Sequence, residues 1–471
     1  MPLRSNFEPG TSRWATRRAQ WRALGLTDAD MVKPKIAIVN SSSQLAICFS
    51  HLDEIARRAR RAVEQAGGVG FEVRTAAPSD FITSAGHRGG YILSARDLIT
   101  NDIEVAVEGA LLDSMLCLAS CDKTAPGQLM AAARLNIPSV IVACGYQPGG
   151  TYRGRPCDIE DVFLAAGHVA NGKLTVAELT EMSEHAVLGP GVCAGMGTAN
   201  TMHLACEALG MALPGTTPVR ANSEPMWRAV DQAARRVVEM TAEGLRPRDI
   251  LTPGAFSNLA GVTVAGEDVI RPPERPLGHR PTIVLIRGSL APDGGIVKLA
   301  VADDRRLDFV GPAVVFDAPA QALDAVRGGQ VSAGQVVVLR GQGPIGSPGM
   351  GMASQLVFAL DGAGLTGQVA VVTDGQLSGL VNKGIVVGEV SPEAARGGPL
   401  ALVRDGDTIR IDVPGRTADL DVPEAELQAR RAELATPTPS TERGWLSIYQ
   451  RLVRPLPEGA VLIPVSPADE P

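Results

Sequence analysis

Short apolar runs that alternate with helical periodicity in the first half of the chain constrain its fold most. Pro34-Lys35-Ile36-Ala37-Ile38-Val39-Asn40 is rich in β-branched residues and is followed by serines, so it reads as a buried strand delivering a polar loop. Residues 51–67 then place Leu52, Ile55, Ala56, Ala59 and Val63 at helical spacing, with charges on the opposite face. The alternation continues with a helix expected over 98–112, a strand over 114–119, a helix over 126–135 and a strand over 139–143. Further helices are expected over 202–211 and 224–245. Strands that alternate with helices build a mainly parallel sheet covered by helices, so the N-terminal half reads as an α/β domain.

Residues 247–276 are rich in glycine and proline and end in Arg271-Pro272-Pro273-Glu274-Arg275-Pro276, the composition of a linker. Beyond it the pattern changes to short β-rich runs at 282–286, 296–301, 313–316, 335–339, 369–373, 400–403 and 408–413. Turn signals at Asp293-Gly294-Gly295 and Asp405-Gly406-Asp407 separate some of them, which suggests a barrel or a sandwich. One helix is expected at 320–327 and another at 424–433, with a loose tail after the last element. The expected organisation is an α/β domain over 1–246, a linker over 247–281 and a β-rich domain over 282–471.

Charge excludes some functions. A net charge of −7 lacks the basic excess of a nucleic-acid binder, and 4% aromatics are too few for a base-stacking platform. The N-terminal stretch carries Arg4, Arg13, Arg17 and Arg18 and no apolar core of a secretory signal. No run approaches the roughly 18–20 apolar residues of a membrane helix. A cytoplasmic protein is expected, with no nucleic-acid or membrane partner. All seven cysteines lie in the first half, and an odd number without a signal peptide argues against a disulfide framework.

Three cysteines stand in segments with chemical potential. Ser120-Cys121-Asp122-Lys123-Thr124-Ala125-Pro126-Gly127 joins a strand to a helix, where α/β folds place ligand groups. It sets a soft thiolate donor beside a hard carboxylate, so one loop has donors for two different metals. Read as structure alone, it is a helix start with Pro126 in the first turn. Cys193 stands amid glycines in Gly189-Pro190-Gly191-Val192-Cys193-Ala194-Gly195-Met196-Gly197, which reads as backbone brought close to a ligand or, as structure alone, as a flexible loop. Cys48, in Asn40-Ser41-Ser42-Ser43-Gln44-Leu45-Ala46-Ile47-Cys48-Phe49-Ser50-His51-Leu52, has packing as its ordinary role. Cys117, Cys144, Cys157 and Cys206 read as buried small apolar residues.

Together these segments resemble the dihydroxy-acid dehydratase / phosphogluconate dehydratase family of iron–sulfur enzymes. Gly25-Leu26-Thr27-Asp28-Ala29-Asp30, Ala95-Arg96-Asp97-Leu98-Ile99 and Thr198-Ala199-Asn200 continue the likeness in the first half. Gly294-Gly295-Ile296-Val297-Lys298, Gly311-Pro312-Ala313, Pro348-Gly349-Met350, Thr373-Asp374-Gly375 with Ser378-Gly379, and Val390-Ser391-Pro392-Glu393-Ala394-Ala395 carry it through the second. The resemblance implies an N-terminal α/β domain, a C-terminal barrel-like domain and a homodimer or dimer of dimers. It also implies a [2Fe–2S] cluster on Cys48, Cys121 and Cys193. Mg2+ would be held by Asp80, Asp122 and Lys123, the lysine as a carbamate. Ser378 would be the base and Lys123 a second catalytic residue, in the dehydration of a small 2,3-dihydroxy acid to a 2-keto acid.

The chain also departs from that family. It is shorter, with the loss expected between Pro247 and Thr282, where Ala260-Gly261-Val262-Thr263 is at most a remnant of a family motif. Met352 stands where the resemblance implies a magnesium-ligating glutamate, and a thioether is a poor ligand for a hard cation. Arg88, in His87-Arg88-Gly89-Gly90, replaces a small or acidic residue and reads as a surface charge or as a clamp for substrate carboxylate or phosphate. A non-catalytic relative, an isomerase or an amino-acid dehydratase are the alternative readings.

Overall fold

The computed structural model describes residues 3–76, 78–84, 89–169, 172–260, 282–299, 306–378, 381, 384–434 and 443–462. The chain forms two compact units, interleaved in sequence. The first comprises Met1–Ile82, Ala95–Asp158 and His185–Val262, the second Thr83–Ser94, Ile159–Glu184 and Thr263–Pro471.

The first unit is built on a four-stranded sheet of β1 (Lys35–Asn40), β2 (Val69–Arg74), β3 (Ser114–Ala119) and β4 (Ser139–Ala143), ordered β2-β1-β3-β4. Every neighbouring pair is parallel, as the alternation of strands and helices expects. Strand residues of alternate parity face opposite layers. Ile36, Ile38, Leu116 and Leu118 pack with the Leu52–Gln65 and Glu224–Glu243 helices. Ala37, Val39, Met115 and Cys117 pack with the Gly90–Gly109, Thr124–Leu135 and Thr198–Ala208 helices. The chain leaving β1 therefore goes to one face of the sheet and the chain leaving the adjacent β3 to the other. Such divergence opens a crevice at the carboxyl ends of the two strands, the usual ligand position in α/β sheets. A short antiparallel hairpin, β5 (Gly150–Tyr152) and β6 (Arg155–Cys157), follows.

The second unit is centred on a closed eight-stranded barrel, which resolves the barrel-or-sandwich alternative. Its strands are β7 (Ile283–Gly288), β8 (Ala291–Lys298), β9 (Asp308–Phe316), β10 (Val336–Leu339), β11 (Ala370–Thr373), β12 (Ile385–Ser391), β13 (Thr408–Asp412) and β14 (Thr417–Leu420). They close in the order β10-β11-β12-β8-β7-β14-β13-β9. Val336 and Val338 fill the interior, while Val337 and Leu339 point outward beneath the Pro319–Arg327 and Ser354–Gly362 helices.

Several local expectations need correction. Residues 400–403 do not form a strand: Pro399–Leu402 is a 3-10 turn, because proline at its first position fixes a helical φ. Asp293-Gly294-Gly295 is no turn but lies within β8, paired with β7 and β12. The Gly/Pro-rich stretch contains the helices Pro247–Ile250 and Pro253–Ala260, each started by a proline. A further helix, Trp445–Leu452, follows the charged Glu424–Glu433 and buries Tyr449 completely. Strands β2, β5, β6, β12 and β14 have no counterpart among the expected elements. Residues 261–281, which hold most of the expected linker, and 463–471 lie outside the described residues. Among the described residues no helix is long and apolar enough to cross a membrane.

Candidate active site

The candidate groups of the first unit stand on loops beyond the carboxyl ends of the sheet strands. The chain turns immediately after β3, and Cys121 takes a φ of 68°, a left-handed conformation that side chains with a Cβ rarely adopt. Thr124 braces the turn: its hydroxyl accepts from the Ser120 amide at 2.8 Å and donates back to the Ser120 and Cys121 carbonyls. The backbone alone disfavours a cysteine here, so Cys121 stands in strained backbone, a feature that clusters at functional sites.

Cys48 lies in the 3-10 turn Ile47–Phe49 on the loop after β1. The Ser120 hydroxyl donates to the Cys48 carbonyl at 2.6 Å, so the two cysteine loops are tied by one buried bond. Cys193 comes from a third loop, laid against the chain that leaves β4. The Gln147 amide donates to the Val192 carbonyl at 2.7 Å and the Val192 amide to the Gly145 carbonyl at 2.9 Å. Gly191 fits there with a φ of 118°, where a Cβ would fall 2.6 Å from the Gln147 nitrogen. Buried Asn200 donates to the carbonyls of Cys193, at 3.0 Å, and Gly195, at 2.8 Å.

These loops bring the sulfur atoms together. The Cys48 thiol has the Cys121 thiol and the Ser79 hydroxyl as close neighbours and feels the charge of Cys193. The neighbouring Cys121 thiol, followed by burial, pushes the Cys48 thiol up, while Ser79 favours the thiolate. None of the seven cysteines forms a disulfide. Cys117, Cys144, Cys157 and Cys206 are buried, and burial alone pushes Cys206 up to about 12.

Oxygen donors form a second group. Asp80 opens the Asp80–Ser84 turn and lies close to Asp122, with Lys123 near enough to act on it electrostatically. Burial pushes the Asp80 carboxyl up to about 7; the Asp122 carboxylate adds to this and the lysine charge opposes it. Among the described residues no three His, Cys, Asp or Glu side chains converge on the position of a single ion. Ligands of a two-iron cluster need not do so, because such a cluster divides its thiolates between two irons. Magnesium commonly takes one or two carboxylates and fills its remaining positions with water or substrate.

Ser378 belongs to the second unit, on the segment that leaves β11. Its amide donates to the Ser354 hydroxyl at 3.3 Å. Met352 forms a parallel bridge with Gln376, which brings the thioether segment alongside the serine segment. His87 and Arg88 lie outside the described residues. Ser79, Ser120, Asn200 and His51 support the site without having been singled out by the sequence. Ser120 and Asn200 stand inside the cysteine motifs, while the only sequence signal for Ser79 is its place before Asp80. The His51 ring nitrogen Nε2 pairs with the Cys144 carbonyl at 2.8 Å, and its Nδ1 is buried without a hydrogen-bond partner.

A parallel sheet with sulfur and oxygen donors at its strand ends, followed by a barrel unit, defines a ligand-binding α/β protein with an accessory barrel. Comparison with known proteins makes this specific. Residues 33–266 match the dihydroxy-acid/6-phosphogluconate dehydratase N-terminal domain and residues 268–460 the C-terminal domain. The chain belongs to this family and is, with it, a hydro-lyase. The dihydroxy-acid dehydratase of Acetivibrio thermocellus is 33% identical over 95% of this chain and 97% of its own length. That of Pyrococcus abyssi is 35% identical over 95% and 97%, and that of Sulfurisphaera tokodaii 33% over 98% and 99%. The first alignment runs over 541 positions against 471 residues here, so that relative carries segments without a counterpart in this chain.

Proposed function

We propose that the protein dehydrates a small 2,3-dihydroxy acid to a 2-keto acid, using a [2Fe–2S] cluster on Cys48, Cys121 and Cys193 and Mg2+ at Asp80, Asp122 and Lys123. The observation that carries the reading is the pairing of the Cys48 and Cys121 thiols, with Cys193 in electrostatic range, beside the Asp80–Asp122 carboxyl pair. The donor set fits both groups: soft sulfur is gathered in one place and hard oxygen in another. When bound, the cluster supplies a Lewis-acidic iron with an open coordination position, and magnesium supplies charge that steadies an enolate.

This chain's own residues do the rest. The three cysteines give up their protons to become thiolate donors, which the neighbouring Ser79 hydroxyl favours at Cys48. Asp80 and Asp122 present carboxylates, and Lys123 as a carbamate presents oxygens in place of a repelling ammonium. Met352 is the wrong donor for a hard cation, so the oxygen ligands are assigned within the first unit. Ser378 removes the proton from C2 of the acid, hydroxide departs from C3, and the enol formed by this net loss of water tautomerises to the keto acid. We assign a homodimer or dimer of dimers as the working form, with no nucleic-acid or membrane partner.

Anaerobic reconstitution with iron and sulfide should give a brown protein that releases keto acid from a panel of 2,3-dihydroxy acids. Cys121→Ser should lose both the visible absorption and the turnover. A wild-type chain that stays colourless and iron-free sinks the reading; a coloured chain with no turnover leaves a non-catalytic relative.

A further inference from the structure

A serine hydroxyl is a very weak acid, so a serine acts as a base where positive charge stands beside it. The peptide unit that joins Leu377 to Ser378 is held at both ends. Its N–H donates to the Ser354 hydroxyl at 3.3 Å, and its carbonyl accepts from the Lys298 ammonium at 2.5 Å. Neighbouring contacts fix the same segment. The Gln376 amide donates to the Gly351 carbonyl at 2.9 Å and its side chain to the Met350 carbonyl at 3.0 Å. The Leu377 side chain lies over Gly388 of β12, where a Cβ would come within 2.3 Å of it.

Lys298 reaches this peptide because of strand alternation. Val297 and Leu299 are buried in the barrel core, so Lys298 between them faces the outer layer that contains Leu377 and Val381. Other charged groups stand on the elements around this layer. Asp374 accepts from the Gly341, Gln342 and Ala394 amides, and Glu393 from the Ile345 and Gly346 amides. Asp361 of the Ser354–Gly362 helix takes the Thr366 hydroxyl. Glu389 is half-buried on β12 and Asp293 lies five positions back on β8; β7 sets Ile283 opposite the lysine and carries Arg287. Lys383 is outside the described residues.

We propose that Lys298 is a positioning residue whose ammonium, anchored on the Leu377 carbonyl, supplies the positive charge that lets Ser378 act as the base. The inference rests on the reading of Ser378 as base and gives the Gly294–Lys298 motif a chemical task. A unit charge anchored on the adjoining peptide, in partly buried surroundings, moves a titration by about one to two pH units.

The test is the pH dependence of kcat for reconstituted wild-type, Lys298→Gln, Lys298→Met and Lys298→Arg proteins on the best-turned-over 2,3-dihydroxy acid, with Ser378→Ala alongside. The neutral variants should move the acid limb upward by about one to two pH units, lose about 10- to 100-fold at pH 7 and recover in alkali. Lys298→Arg should keep the wild-type limb. Lys298→Gln retains a donor for the Leu377 carbonyl, which keeps the test open if Lys298→Met fails to fold. A uniformly lowered kcat with an unmoved limb, in an enzyme that Ser378→Ala silences, overturns the lysine's role alone. Turnover surviving in Ser378→Ala, or a wild-type chain that converts no acid, overturns the base assignment and the inference with it.

Discussion

At the scale of single residues, the first unit is marked by side chains in places their chemistry does not favour. Cys121 occupies backbone space suited to glycine, and His203 is an imidazole sealed in the core with its Nε2 unpaired. Burial pulls His203 down to about 4, below its ordinary value, so the fold holds it neutral. Its contribution to stability is complete above the ordinary value near pH 6.5 and is lost as pH falls through 4. His203→Leu should therefore flatten the acid side of the unfolding curve. The difference from wild type between pH 7 and pH 4 should be on the order of 2–3 kcal/mol by urea titration. Parallel curves for the two proteins would mean that the ring gains a proton without opening the core. Burial of this kind was not legible in the sequence, since a lone histidine between Met202 and Leu204 has no period of its own.

At the scale of elements, β1, β3 and β4 stood out because runs such as Ile36-Ala37-Ile38-Val39 have no other stable place than the centre of a sheet. Strand β2 mixes Gly70, Glu72 and Arg74 with its apolar residues, so its pairing comes from tertiary context. The cysteine positions could be picked out from their motifs, but their convergence could not, because it depends on bonds such as Ser120 to Cys48 across 72 positions of chain. In the barrel unit, Glu393 holds the loop at Ile345 and Gly346. Burial raises its carboxyl to about 7, the Gly346 amide opposing this and the neighbouring Asp374 adding to it. An acid raised in this way gives its full contribution below the unfolded value near 4.5 and loses it as pH rises through 7. Glu393→Gln should therefore show a smaller fall in melting temperature than wild type between pH 5 and pH 8. An equal fall in both would place the alkaline sensitivity elsewhere.

At the scale of the whole molecule, the candidate cluster ligands come from three separate stretches of the first unit, and loading should be felt at all three. Amide hydrogen exchange before and after anaerobic reconstitution should show slowing at residues 47–51, 120–123 and 191–196, with barrel strands β7 to β14 unchanged. Protection at only one of the three would break up the proposed cage. The two kinds of sheet also differ in their risk of aggregation. A closed barrel exposes no unpaired strand edge, whereas the open sheet of the first unit ends in β2 on one side and β4 on the other. On the β4 side, the Ile141 amide is taken by the Met211 carbonyl at 2.8 Å. The β2 side instead carries Glu72 and Arg74, paired at 2.7 Å, with Arg74 also reaching Asp53 at 2.8 Å. Charge on an edge strand discourages a second chain from adding to the sheet. The residues that made β2 hard to recognise as a strand are thus the ones that guard the protein against joining its sheet to another.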